Sequence, residues 1–136
     1  MKYLVGDIGN TLTKITLLNT RFKIIKSKSI DSKKFYNKNY LPLIFKSFFS
    51  SNLNKRVLFS SVVPSVYKNV KLYLRKKGFK LHEVKELKVD KIIKFNVDNF
   101  KQVGSDRIVN AIGSYNVYKK NCLVIDFGTA TTFDII

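Results

Sequence analysis

The sequence predicts an α/β fold built on a mixed sheet, and two observations carry this prediction. Short apolar runs within residues 2–7, 12–18 and 21–27 predict three successive strands. Beyond them, segments with helical spacing alternate with further apolar runs of strand length. Apolar residues make up 45% of the 136-residue chain, which is enough for one domain with a substantial core.

Tight turns join the first three strands and keep them adjacent in the sheet. The first turn is centred on Gly9-Asn10 and the second on Asn19-Thr20. Residues 31–40 are polar and are predicted to form a loop or the approach to a helix. Pro42 suits the first turn of that helix, which we expect to end near Ser50.

The central part of the chain alternates strands with helices. We predict strands over 55–63 and 79–84, and helices over 65–77 and 104–120, where apolar residues recur every three or four positions. Gly78 follows three basic residues and ends the first of these helices. The resulting order, βββαβαβα, is typical of a ribonuclease-H-like mixed sheet.

A second hairpin follows the last helix. The apolar run Leu123-Val124-Ile125, in a strand predicted over 121–126, leads to Asp126, a Gly turn and a further apolar run, which repeats the pattern around Asp7 119 positions earlier. We therefore predict a ribonuclease-H-like domain over 1–118. Residues 119–136 are predicted to be the first hairpin of a second, truncated domain of the same kind.

The chain is strongly basic, with 26 Lys and Arg against 9 Asp and Glu and a net charge of +17. Such a charge is compatible with a nucleic acid or an anionic membrane as partner. The lysines, however, are scattered through nearly every segment, and arginine, which recognises phosphates and bases better, is scarce. We favour solvated basic faces over a polyanion partner, and expect no nucleic acid or membrane partner.

Compartment signals are consistent with the cytoplasm. The single cysteine, Cys122, excludes an intramolecular disulfide. We expect no signal peptide, because the first apolar run is short and Asp7 interrupts it, and no run of about 20 apolar residues that could span a bilayer is present.

The first hairpin carries a candidate phosphate-binding loop. Gly9 permits close approach of backbone N–H groups to a phosphate, and Asn10 and Thr11 add side-chain donors. Lys14 adds a positive charge, and Asp7 can bind a cation such as Mg²⁺ directly or through water. An ordinary hairpin with a solvent-facing Asp explains the same residues, so this loop needs support from other motifs.

A second candidate segment lies at Gly104-Ser105-Asp106-Arg107. Ser105 is expected to cap the following helix and Asp106 to lie in its first turn, where the helix dipole favours an acid. In a phosphoryl transfer to an alcohol, a carboxylate at Asp106 would accept the proton while Arg107 binds an anion.

The third segment begins with Asp126-Phe127-Gly128, a tripeptide found in protein kinases. The other protein-kinase motifs do not precede it, so we reject that class. The segment Thr129-Ala130-Thr131-Thr132 instead supplies hydroxyl groups that can form hydrogen bonds with phosphates.

With these motifs in this order, the chain closely resembles the N-terminal half of the type III pantothenate kinases. That family belongs to the acetate and sugar kinase, Hsp70 and actin superfamily. The resemblance extends over the whole chain and rests on four segments: Asp7-Ile8-Gly9-Asn10-Thr11, Ser60-Ser61-Val62-Val63-Pro64, Val103-Gly104-Ser105-Asp106-Arg107 and Asp126-Phe127-Gly128-Thr129-Ala130-Thr131-Thr132.

The resemblance implies ATP-dependent phosphorylation of pantothenate, the first step of coenzyme A synthesis, in a homodimer that uses Mg²⁺. It assigns ATP binding to Asp7, Ile8, Gly9, Asn10, Thr11, Leu12, Thr13, Lys14 and Thr129. It assigns pantothenate binding to Gly104, Ser105, Asp106 and Arg107, with Asp106 as the catalytic proton acceptor and Arg107 on the substrate carboxylate. Asp126 is implied as the ligand of an activating monovalent cation, K⁺ or NH₄⁺.

Two departures from the family pattern bear on activity. Many members carry Tyr-x-Asn-Pro where this chain has Val97-Asp98-Asn99-Phe100. Members are also roughly twice as long as this chain. Their additional part forms most of a second domain, which carries the adenine pocket. We therefore expect the 136-residue chain to lack measurable kinase activity by itself. Two alternatives stay open, a non-catalytic basic binding protein like the transcriptional accessory factors described among relatives, and an inactive fragment.

Overall fold

A computed structural model describes all residues 1–136 and contains two separate sheets. The larger sheet has five strands in the order β3-β2-β1-β4-β5, of which the first three are antiparallel and the last two run parallel to β1. The five strands are β1 (Tyr3–Ile8), β2 (Leu12–Leu18), β3 (Ile24–Asp31), β4 (Arg56–Ser61) and β5 (Lys80–Glu83). The smaller sheet is the antiparallel hairpin of β6 (Leu123–Phe127) and β7 (Thr131–Ile135).

Three α-helices complete the fold, together with five short 3₁₀ helices. The α-helices are α1 (Leu41–Lys46), α2 (Pro64–Lys76) and α3 (Ser105–Tyr118). The 3₁₀ helices are Ser32–Tyr36, Lys38–Tyr40, Val84–Glu86, Val89–Lys91 and Phe100–Gln102. The mixed α/β class and the predicted element order are therefore confirmed. None of the helices combines the length and the apolar character needed to cross a membrane.

Some predicted boundaries were wrong, and local hydrogen bonds explain two of them. The third strand begins at Ile24 rather than residue 21, because the Asn19 side chain accepts hydrogen bonds from the backbone of Arg21 and Lys23 and lengthens the turn. The fourth strand ends at Ser61, whose hydroxyl accepts from the backbone N–H of Val63 and turns the chain into α2. Helix α1 ends at Lys46, before the expected Ser50.

The main core lies on one face of the five-stranded sheet. Alternate residues of β1, β2 and β4 point to this face and pack with buried residues of α1 and α2. Four phenylalanines are fully buried in the core cluster, and each contributes roughly 2–3 kcal/mol of hydrophobic stabilisation: Phe35, Phe45, Phe48 and Phe59. The aromatic content thus mainly serves this core.

The opposite face of the sheet is only partly covered, and it carries polar side chains. Asp7, Lys14, Thr16 and Ser60 all project from it, and residues of α3 approach the same space. A small second core holds α3 in place, formed by buried Ile108 with residues of the 3₁₀ segments that precede the helix. The uncovered sheet face, α3 and the β6–β7 hairpin together surround the candidate site.

Candidate active site

Three carboxylates and one ammonium group meet in a cavity between the sheet, α3 and the hairpin. The cavity has a volume of about 470 Å³, and its lining includes Asp7, Lys14, Asp106 and Asp126. These residues come from four different elements and span 119 positions of sequence. We call this space the carboxylate cavity.

Asp7 is positioned by the neighbouring parallel strand. Asp7 on β1 lies directly opposite Ser60 on β4, and the buried Ser60 hydroxyl donates a hydrogen bond to Asp7 Oδ1. On the other side of β1, the antiparallel register places Lys14 opposite Asp7 on the same face, where opposite charges are favourable neighbours. Sequence reasoning did not assign Ser60 to the site, although a serine at the carboxyl end of a parallel strand was a usable signal.

The loop between β1 and β2 is closed by a backbone hydrogen bond from Gly9 N to Leu12 O of 3.0 Å. A Cβ at Gly9 would press on that carbonyl, which explains the glycine. Two residues of the predicted ATP loop face inwards, since Ile8 is fully buried and the buried Thr13 hydroxyl bonds to Ser32. Their side chains serve the fold, and only their backbone is available to a ligand.

The tips of the two hairpins touch each other. The hydroxyl oxygens of Thr11 and Thr129 lie 3.1 Å apart, which is hydrogen-bond distance. Both side chains were predicted ATP contacts, and both are exposed. The structure thus brings together the tips of the two hairpins that share this sequence pattern.

Helix α3 begins differently from the prediction. Gly104 is the N-cap residue, no side chain caps the helix, and Ser105 is the buried first helical residue, so the expected Ser105 cap is wrong. Asp106 Oδ1 accepts a hydrogen bond of 2.8 Å from the backbone N–H of Arg107. A Cβ on Gly104 would clash with the Asp106 carboxylate, so the glycine makes room for it.

Arg107 points away from the carboxylate cavity and pairs with the hairpin. Its Nε donates to Asp134 Oδ1 at 2.8 Å, its Nη2 donates to the same oxygen, and Nη2 lies 3.3 Å from the Phe133 carbonyl oxygen. The hydrogen bond with Asp134 raises the pKa of Arg107, so the guanidinium stays charged. Asp106 and Arg107 therefore serve two different cavities.

The second cavity has a volume of about 410 Å³ and is mainly apolar. Arg107 and Asp134 form its polar end, and the 92–97 segment supplies much of the apolar wall, including Val97. Asp134 Oδ2 is buried without a hydrogen-bond partner in the protein. We call this space the apolar cavity.

Asn110 is a further site residue that sequence reasoning missed. Its side-chain amide donates to Asp126 Oδ2 at 3.0 Å, and it lines the carboxylate cavity. The available signal was its spacing, because residues four apart share one face of a helix and Asn110 follows Asp106 by four.

A cation would have to be shared between the protein and the nucleotide. No three His, Cys, Asp or Glu residues lie close enough together to hold a metal ion as a group. Mg²⁺ in phosphoryl-transfer sites uses one or two carboxylates together with waters and substrate phosphates, so it needs no larger cluster. The carboxylate oxygens of Asp7 at the cavity wall fit that requirement, and those of Asp126 at the same wall could serve a second cation.

Comparison with known proteins agrees with this arrangement of motifs. A model of the type III pantothenate kinase family matches residues 3–136. The chain belongs to the type III pantothenate kinase family. The family membership predicted from the four sequence segments is thereby confirmed.

Two relatives show how far the similarity extends. The chain is 46% identical over 138 residues to the type III pantothenate kinase of Pelagibacter ubique (strain HTCC1062). It is 31% identical over 136 residues to that of Fervidobacterium nodosum (strain ATCC 35602 / DSM 5306 / Rt17-B1). Each alignment covers 98% of this chain and 53% of the relative. This family member thus spans about half the length of the curated relatives it matches.

Proposed function

We propose that this protein acts in transfer of the γ-phosphoryl group of ATP to the primary hydroxyl of pantothenate, the first step of coenzyme A synthesis. One observation carries the proposal. Asp7, Lys14, Asp106 and Asp126, which lie on four separate elements, line a single cavity at the meeting point of two Asp-Gly hairpins. Family membership supports the same reaction.

The nucleotide phosphates are proposed to lie between the two hairpin tips. Backbone N–H groups of the Gly9 loop and the hydroxyls of Thr11 and Thr129 supply hydrogen bonds there, and Lys14 supplies a positive charge. Mg²⁺ neutralises phosphate charge in such reactions. We assign it to Asp7, which Ser60 holds in place. We assign a monovalent cation, K⁺ or NH₄⁺, to Asp126.

The acceptor is proposed to bind at the N-terminus of α3. Asp106 would accept the proton of the attacking hydroxyl, and its hydrogen bond from Arg107 N orients the carboxylate. The apolar cavity suits the branched body of pantothenate, and Arg107 is assigned to its carboxylate. Nε and Nη2 of Arg107 donate hydrogen bonds to Asp134, so the N–H groups of Nη1 are available to a ligand.

We further propose the finer features that were predicted from the sequence patterns and from the family resemblance. These are a ribonuclease-H-like topology, a domain over 1–118, a second domain that starts at 119–136, a cytoplasmic location and a homodimer. The separation of β6–β7 from the five-stranded sheet supports the domain boundary.

A chimera tests the proposed function. Residues 1–136 replace the matched region of the Pelagibacter ubique kinase, whose remaining part completes a chain of full family length. We expect ADP release that requires pantothenate and yields 4′-phosphopantothenate, measured by a coupled assay and mass spectrometry. Residues 1–136 alone serve as comparison and are expected to show no measurable turnover. ADP release that ignores pantothenate, or an inactive chimera that binds both substrates, would contradict the proposal.

Replacing Gly104 with Ala should lower kcat of the chimera by about 10- to 100-fold, because positioning errors near 1 Å cost this much. The added Cβ would push the Asp106 carboxylate out of place, while the backbone at Gly104 (φ −63°, ψ 145°) accepts any residue without strain. Stability should change little. Gly113→Ala on the same helix, where a Cβ meets nothing within 4 Å, is the matched control. Unchanged kcat in the Gly104 variant would show that this glycine is unrelated to Asp106.

A further inference from the structure

Asn110 connects α3 to the β6–β7 hairpin through Asp126, one of the three carboxylates that line the carboxylate cavity. Its amide N–H donates to Asp126 Oδ2 at 3.0 Å, and Asp126 Oδ1 makes no hydrogen bond within the protein. Asp106 lies one turn earlier on the same helix and lines the same cavity. The one helix therefore carries one of these carboxylates and holds the other.

The hairpin depends on a few polar contacts for its position. A two-stranded hairpin is marginally stable by itself, and this one turns its apolar side chains to solvent, with Phe127 81% and Ile135 90% exposed. Three of its side chains form hydrogen bonds with the rest of the chain: Thr129 with Thr11, Asp134 with Arg107, and Asp126 with Asn110. The Arg107 side chain also donates to the carbonyl oxygen of Phe133 in the hairpin.

The two inward-facing carboxylates of the hairpin are held by different chemistry. Asp134 forms an ion pair with Arg107, which neutralises its charge. Asp126 is held by an uncharged amide, which orients its carboxylate without forming an ion pair with it. Only Asp126 is therefore both oriented and electrostatically available to a cation.

We propose that Asn110 is a positioning residue that orients Asp126 for cation binding and sets its place relative to Asp106. Its effect on catalysis rests on the function proposed above, whereas its anchoring of the hairpin does not. A neutral donor is required at this position, since a positive one would cancel the charge of Asp126 and a negative one would repel it.

Amide hydrogen exchange of residues 1–136, followed by NMR, tests the anchoring directly. We expect Asn110→Ala to speed exchange of the β6–β7 amides by about tenfold, because a hydrogen bond to a charged group is lost. Amides of the five-stranded sheet serve as the internal reference for folding. Asn116→Ala, an exposed asparagine on the same helix, is the matched control and should change nothing.

Two charge variants separate positioning from mere packing. Asn110→Asp keeps the side-chain shape but faces Asp126 with a second carboxylate, so its hairpin should exchange faster than that of the alanine variant. In the double variant N110D/D126N the hydrogen bond re-forms with donor and acceptor exchanged, and hairpin protection should return to near the starting level. Turnover of the chimera, lowered about tenfold by Asn110→Ala, should stay low in the double variant, because the carboxylate has left the hairpin.

The outcomes distinguish the two proposals. Unchanged exchange in Asn110→Ala, or a milder effect of Asn110→Asp than of Asn110→Ala, would overturn the positioning role. Full recovery of turnover in the double variant would overturn the cation role of Asp126. An inactive parent chimera with the expected exchange pattern would reject the proposed function and leave the anchoring by Asn110 intact.

Discussion

We expect Asp106→Asn to lower kcat of the chimera by about 10²–10⁴-fold, the usual contribution of a positioned general base. The amide has the same shape as the carboxylate, and its oxygen can still accept the hydrogen bond from Arg107 N. What it loses is the ability to act as the proton acceptor that we propose for the attacking hydroxyl. The loss should therefore fall on kcat, with smaller changes in KM for ATP and pantothenate.

The matched control for this substitution is Asp90→Asn. Asp90 is an exposed residue in a 3₁₀ helix and lines neither cavity, so the same chemical change there should leave turnover unaltered. Urea unfolding of the Asp106 variant should match that of the parent chain. Near-normal turnover with Asn at this position would remove Asp106 from the role of proton acceptor.

Replacing Gly6 with Ala should destabilise the chain by about 1–3 kcal/mol, the usual cost of overpacking a filled core. Gly6 on β1 lies directly opposite Phe59 on the parallel strand β4. The Phe59 ring lies across the glycine, so a Cβ at Gly6 would overlap three of its atoms. Phe59 is fully buried in the core cluster, so its ring has no free space into which it can move.

Urea denaturation of residues 1–136 measures the change in the free energy of unfolding. The same substitution is also made in a Phe59→Leu variant, so that the test still applies if Gly6→Ala alone prevents folding. In Phe59→Leu the ring is gone, so adding Gly6→Ala should cost much less than it does in the parent chain. Gly113→Ala, where the new Cβ meets no other atom, should be neutral or slightly stabilising. Equal costs of Gly6→Ala with and without the Phe59 ring would refute the clash as the cause.

The order of strands and helices could be predicted from the sequence because it depends on local patterns. Apolar runs, helical spacing, Pro42 and Gly78 each act within a few residues, and the elements they predicted are present. One boundary error arose because a side chain redirects the backbone locally, since the Asn19 side chain lengthens the turn before β3. The predicted side-chain cap of α3 was also wrong, because Gly104 is the N-cap residue and Ser105 is the first residue of the helix.

The chemical residues were also visible in the sequence, although their partners were not. Asp7, Asp106 and Asp126 each lie in a short motif with Gly nearby, and this pattern was enough to indicate the family, which the comparisons confirmed. The ATP loop was predicted as a continuous stretch, yet the inward orientation of Ile8 and Thr13 follows only from which face of β1 and β2 is buried.

The sequence by itself determined the family and the mixed α/β class, and it indicated the three acidic residues of the candidate site, since each is encoded in contiguous segments. Tertiary structure alone decided how those acids are held. Ser60 reaches Asp7 through the parallel register of β1 and β4, and Arg107 and Asn110 reach Asp134 and Asp126 through the docking of α3 on the hairpin. Strand register and helix docking join residues that are 16 to 53 positions apart, and local pattern carries no information about such distances.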